Sequence, residues 1–161
     1  MKDKSLLLLP MEMGDDLFQY ALRLLSARAY AEAGLRRKLA HRGSPEEVEA
    51  TIRRVKELGY LDDRSYAEGY IRLNQGRWGV GKLRQALRAK GVSAEVIERV
   101  LADLEPQTDP VAEALELLER YPSRYRGEKA KAMRFLLNRG FPLSAALAAW
   151  ERYSRTPNPE R

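Results

Sequence analysis

The sequence predicts an all-α fold of three tandem three-helix repeats, helix-turn-helix-like and stacked into an elongated, curved array. Three observations carry that expectation. Apolar residues recur at three and four along the chain, with no sustained alternation. Similar basic stretches end at Gly43, Gly91 and Gly140, which stand 48 and 49 residues apart. One apolar register surrounds all three glycines: Leu35, Leu83 and Ala132 eight before, Leu39, Leu87 and Leu136 four before, Val48, Val96 and Ala145 five after, and Ile52, Val100 and Ala149 nine after. A unit of this length cannot close a core alone and stacks on its neighbours. The expected boundaries are an arm at 1–17, repeats at 18–58, 59–105 and 106–153, and a tail at 154–161.

Each element has a local cause. Over 18–30, Phe18, Ala21, Leu22, Leu25 and Ala29 follow the helical period. A second helix over 31–42 turns Leu35 and Leu39 to one face, and Gly43 stands where a left-handed residue closes a helix. Ser44, Pro45 and Glu47 form a capping box with proline in the first turn, opening a third helix striped by Val48, Ile52 and Val55. Gly59 ends it, and Asp62 or Asp63 caps the next helix, which carries Tyr66, Tyr70, Ile71 and Leu73. After the 74–81 loop the pattern repeats: a basic helix over 82–90, Gly91, then Ser93 capping a helix with Val96, Ile97, Val100, Leu101 and Leu104. A linker at 105–109 leads to a helix opened by Asp109 and Pro110 and ended by Pro122. A basic helix over 128–139 stops at Gly140, and a last helix spans 145–150.

Composition sets limits. The 161 residues hold 29 Lys and Arg against 23 Asp and Glu, a net charge of +6, which suits a partner rich in phosphate or carboxylate. With no cysteine there is no disulfide framework, thiolate nucleophile or usual zinc site, and the leucine run at 6–9 is too short for a bilayer span. The expectation is a cytoplasmic monomer without metal or cofactor.

Charge divides by helix position. The second helices carry Arg36, Arg37, Lys38 and Arg42, then Lys82, Arg84, Arg88 and Lys90, then Lys129, Lys131, Arg134 and Arg139. The third helices of the first two repeats hold Glu46, Glu47, Glu49 and Glu57, then Glu95, Glu98, Asp103 and Glu105. The helix macrodipole favours a base at the C-terminus but does not explain the interior arginines. In a common stacking orientation the second helices therefore form a basic strip, the expected binding surface.

Other motifs point away from catalysis. Gly76 to Lys82 has the G-x-x-x-x-G-K spacing, but Leu83 replaces the magnesium-binding Ser or Thr and a helix precedes the loop instead of a strand. Gly76, Gly79 and Gly81 are expected to hinge the basic helix, with Trp78 anchoring the loop or facing a partner. Asp62 and Asp63 are expected as caps. His41, the single histidine, sits at a helix end beside Arg42. Tyr60, Tyr66, Tyr70 and Trp78 offer rings for stacking on bases, but their helical spacing favours packing. Two other readings stay open: a basic helix-turn-helix module that binds DNA alone, and a helical scaffold whose charge is incidental.

The stretch Glu57-Leu58-Gly59-Tyr60-Leu61-Asp62-Asp63, followed by Tyr66-Ala67 and Tyr70-Ile71, resembles the signature of the RecX family of recombination regulators. So do 79–91 (GVGKLRQALRAKG) and, upstream, Leu35-Arg36-Arg37-Lys38-Leu39 with Gly43. The resemblance covers about 18–104; the third repeat is similar in pattern only, Tyr66 stands where the family usually has Phe, and the arm differs from that of longer members. It implies three tandem three-helix repeats in a non-enzymatic protein. That protein would bind the RecA recombinase, chiefly its filament on single-stranded DNA, and restrain its ATPase, strand-exchange and coprotease activities in recombination and DNA repair. Direct DNA binding is expected to be weak and non-specific. The residues expected to meet the filament are the bases of the second helices.

Overall fold

The structure, a computed structural model, describes residues 15–104 and 108–156. Most of the expected arm, with its leucine run, most of the expected linker and the end of the expected tail lie outside the described residues. Among the described residues there are nine α-helices and no strand. The first unit comprises α1 (Asp15–Ala27), α2 (Glu32–Leu39) and α3 (Pro45–Glu57). The second comprises α4 (Asp63–Asn74), α5 (Val80–Ala89) and α6 (Ala94–Leu104). In the third, α7 (Pro110–Arg120) leads through a 3₁₀ turn (Pro122–Arg124) to α8 (Lys129–Asn138) and α9 (Leu143–Arg155).

The caps read from the sequence are present. Ser44 accepts from the Glu47 N–H while the Glu47 carboxylate accepts from the Ser44 N–H. Asp62, Ser93 and Asp109 cap α4, α6 and α7 through the N–H groups of Arg64, Val96 and Ala112. Several ends differ from expectation: the first helix begins at Asp15, within the expected arm, and the second stops at Leu39. The first helix stops at Ala27, and the chain then runs extended so that Tyr30 and Ala31 are buried. The last helix continues to Arg155, into the expected tail, because Tyr153 still has a core to fill.

Each unit surrounds its own apolar cluster. The first is built on Leu17, Leu35, Leu39, Val48, Ile52 and Val55, the second on Ala67, Ile71, Leu83, Leu87, Ile97 and Val100. Full burial of a leucine contributes roughly 2 kcal/mol, against less than about 1 kcal/mol for an exposed ion pair, so the apolar stripe decides which face turns inward. Neighbouring units also exchange a residue: Leu61 closes the first cluster and Ala31 reaches into the second. The third cluster uses small residues, Ala132, Ala146 and Ala149, where the other units have larger ones. The space is filled by Tyr125, fully buried, whose hydroxyl donates to the Leu118 carbonyl at 2.6 Å and whose ring meets Trp150 and Tyr153 edge-on.

The first repeat departs from the expected register. Gly91 and Gly140 adopt positive φ, and the next residue, Val92 or Phe141, is buried and donates its N–H to Leu87 or Leu136. That is the left-handed closure with its apolar follower. Gly43 is not among the positive-φ residues. Ser44 follows it immediately as a cap, whereas Ser93 and Pro142 stand two residues past their glycines, so the first turn lacks the residue that Val92 and Phe141 provide. Counted from the caps, Val48, Ile97 and Ala146 are equivalent, as are Thr51, Val100 and Ala149, and all six are buried. Gly43 instead lies close to the first helix: a Cβ there would stand 2.7 Å from Leu17 Cδ2, so that methyl would have to shift to admit it.

Candidate functional site

The second helices of the three units meet end to end. At the junction of units 2 and 3 the first turn of α5 sits against the C-terminus of α8. Gly79 donates its N–H to the Arg139 carbonyl at 2.6 Å and Gly81 to the Gly140 carbonyl at 3.0 Å. A Cβ on Gly79 would stand 2.5 Å from the Gly140 carbonyl, and one on Gly140 would run into the Lys82 backbone. The free N–H groups of one helix thereby satisfy the free carbonyls of another, with their dipoles in the favourable sense. Gly79 and Gly81, expected as a hinge, are thus pinned by unit 3, and their N–H groups are not turned to a phosphate. Gly76 has open space around it.

At the junction of units 1 and 2 the same ends meet with other chemistry. Gly91, past the C-terminus of α5, faces Ala33 in the first turn of α2. The N-cap of α2, Ala31, has no side chain to offer, and Asp63 of unit 2 supplies it: the Glu32 N–H donates to Asp63 Oδ1 at 2.7 Å. Burial pushes the Asp63 carboxyl up, against the pull of that hydrogen bond. Asp62 caps its own helix and Asp63 its neighbour's, a division that residues 31 positions apart do not announce in sequence.

Along this line of helices the candidate bases separate into two groups. Arg37, Lys38, Arg88, Lys90, Lys129 and Arg134 are exposed and have no ion pair among the described residues. The others are engaged. Arg36 donates to Glu49 through Nε and Nη2 at 2.7 and 3.1 Å and to Glu32 at 2.8 Å; Arg84 makes the same two-pronged bond to Glu98 at 2.6 and 3.1 Å. These clasps join second to third helix at equivalent places in units 1 and 2. Hydrogen bonds from Arg36 and Arg84 hold the Glu49 and Glu98 carboxyls below their ordinary range, and both guanidiniums are raised. Burial pushes Glu32 up, but bonds from Lys56 and Arg36 outweigh it and leave the group lowered. Arg42 lies over the Tyr20 ring at 4.0 Å, Lys82 over Trp78 at 4.6 Å, and Lys131 pairs with Glu128 at 3.4 Å. Arg139 donates to the Arg77 carbonyl at 3.2 Å and lies over Phe135.

The remaining candidates divide between packed and exposed positions. Tyr66, Tyr70 and Trp78 form a chain of rings 6.1 and 6.2 Å apart, partly buried against the second core, while Tyr60 is exposed. His41 is exposed. Among the described residues no group of His, Cys, Asp or Glu is placed to hold a metal, and no helix is long and apolar enough to cross a membrane.

Residues 18–54, spanning α1 to α3, match the family model for the first three-helix domain of RecX, and 62–101, spanning α4 to α6, match that for its second. A Regulatory protein RecX of Thermus thermophilus is 48% identical over 138 residues, covering 86% of this chain and 92% of its own. The chain belongs to the RecX family. The RecX protein of Deinococcus radiodurans is 44% identical over 136 residues, 81% of this chain and 64% of its own. The RecX crystal structure from Lactobacillus salivarius superposes with a TM-score of 0.73 at 22% identity, over 86% of this chain and 95% of the other, a likeness of fold. The matches place the chain in a family of regulatory proteins built from tandem three-helix domains.

Proposed function

We propose that this RecX protein is a non-enzymatic, cytoplasmic regulator that binds the RecA recombinase on its DNA filament as a monomer and lowers its ATPase, strand-exchange and coprotease activities. One observation carries the reading. Three second helices joined end to end present Arg37, Lys38, Arg88, Lys90, Lys129 and Arg134 at the surface, the cations left over among the described residues once the clasps, ring contacts and the Lys131 pair are subtracted. Repeated cations on a stiff row suit a partner that itself repeats, whether through DNA phosphate or acidic protein surface. Direct binding to DNA is weak and non-specific on this reading, since no base-reading element is distinguished from the phosphate contacts.

The test is a titration of DNA-dependent ATP hydrolysis by the cognate recombinase. Hydrolysis falls as the protein is added, and a variant with Arg37, Lys38, Arg88, Lys90 and Arg134 all changed to Glu loses most of that effect while keeping its helical circular dichroism. Unchanged hydrolysis at saturating protein sinks the proposal. Tight DNA binding without recombinase, weakening steeply with salt, would instead establish a DNA-binding module. Arg36 and Arg84 are left out of the variant because reversing them would break the clasps and confuse folding with binding.

A further inference from the structure

The clasps are absent from unit 3. Counted back from its glycine, the position of Arg36 and Arg84 is Met133; counted on from its cap, that of Glu49 and Glu98 is Leu147. Two charged residues that held second and third helices together have become two apolar ones, and the surface around them has followed. Leu137, one turn beyond Met133 on α8, is 43% exposed; Leu143, one turn before Leu147 on α9, is 56% exposed, and Leu147 itself 41%. Val80 at the start of α5 is 39% exposed and borders a groove of about 400 Å³ that also includes Leu137, Phe141 and Pro142. The apolar surface therefore runs from the α8–α9 face into the junction with unit 2. Isolated exposed leucines need no explanation, but a contiguous set that replaces an ion pair recurring in the other two units does.

The charges without a carboxylate partner on α8 and on the wall of this groove are positive. Arg134 is exposed and unpaired, and Lys82, on the groove wall, lies over Trp78 with no carboxylate partner among the described residues. Glu98 is paired with Arg84 at 2.6 Å and Glu151, one turn after Leu147, with Arg155 at 3.0 Å; Glu113, half-buried on α7, lines the neighbouring groove with Phe141 and Pro142 and not the one bordered by Leu137. A second copy docked symmetrically through this face would bring the same cations against Arg134 and Lys82. Nucleic acid would gain nothing from the leucines.

We infer that the α8–α9 face of unit 3, built on Met133, Leu137, Leu143 and Leu147, is a docking site for an amphipathic helix of a partner protein that carries acidic residues beside its apolar stripe. Leucines at three and four would lie on the face and into the groove, and flanking glutamates would meet Arg134 and Lys82. This goes beyond the proposed action on the recombinase, since it requires neither filament nor DNA, and the two stand or fall separately.

The probe is a fluorescent synthetic helix of about 20 residues with leucines at i, i+3, i+4 and i+7 and glutamates on both flanks, compared with a peptide of the same composition in scrambled order. Fluorescence anisotropy with the full chain should show the striped peptide binding at least about tenfold more tightly than the scrambled one. The deciding variant is Leu143→Lys with Leu147→Lys, both positions being exposed so that folding is retained. It adds positive charge while removing apolar surface, so binding of the acidic peptide falls if the leucines dock it and rises if charge alone does. Equal binding of both peptides, no binding of either, tighter binding by the lysine variant, or a dimer in sedimentation that the lysine variant abolishes would each overturn the inference.

Discussion

The two junctions of the array do the same job with different materials. Between units 2 and 3 the contact is backbone to backbone: N–H groups of Gly79 and Gly81 on carbonyls of Arg139 and Gly140, with no room for a side chain on either surface. Between units 1 and 2 a side chain completes the contact, the Asp63 carboxylate on the Glu32 N–H, and Gly91 faces only the methyl group of Ala33. A backbone junction is set by the path of the chain and tolerates almost nothing. A side-chain junction can be weakened by degrees, because each part of it is a separate group.

That contrast is open to breakage. Gly140→Ala has the largest expected effect, about 3 kcal/mol in urea unfolding, because it strains a positive φ and drives a methyl into the Lys82 backbone at once. Gly91→Ala costs about 2 kcal/mol, and pairing it with Ala33→Gly recovers the steric share while leaving the backbone strain. No single companion change can rescue Gly140→Ala in this way, so equal rescue at both junctions would remove the distinction. Asp63→Ala costs about 1 kcal/mol, the usual loss of a helix cap, whereas Asp63→Asn stays within about 0.5 kcal/mol because its carbonyl still accepts from Glu32.

The smallest effect concerns the clasps inside units 1 and 2, on either side of the side-chain junction. The folded values of Glu49 and Glu98 lie below their unfolded ones, so their contribution is complete above the ordinary carboxylate range and is lost as pH falls through the lowered values. The urea midpoint should therefore decline more steeply on acidification in the parent than in Glu49→Gln with Glu98→Gln. Asp63 acts in the opposite sense. Its folded value is raised by burial, so the pH-dependent part of its contribution is largest below the ordinary carboxylate range and lost as pH rises through the raised value, while the hydrogen bond it accepts from Glu32 persists. Asp63→Asn should flatten that component without touching the clasps.

The helices were legible in sequence because caps and apolar spacing are local signals: Ser44 with Glu47, Ser93, and the pairs Leu35 with Leu39 and Leu83 with Leu87 all act within one or two turns. The repeat was legible from its glycines, but the alignment slipped by one in the third helix of unit 1, since Gly43 looks like Gly91 while lacking the apolar follower that makes Gly91 a left-handed closure. The basic strip was legible as composition and not as availability. Arg36 and Arg37 are neighbours of one type, yet Glu49, thirteen positions from Arg36, engages the first and leaves the second to solvent. The Asp63 cap on α2 spans 31 positions and has no periodic signature. What depends on a partner distant in sequence became visible only in three dimensions.

The Leu17 side chain occupies the space beyond Gly43, the place where the other two glycines receive the next helix. The row is thereby closed at one end by its own first helix. Second helices of 8, 10 and 10 residues laid end to end give roughly 40 Å of helix. At this end the side chain of Leu17 stands where a further helix would be received. The row has three divisions, one for each second helix, and the plug at Leu17 marks its end.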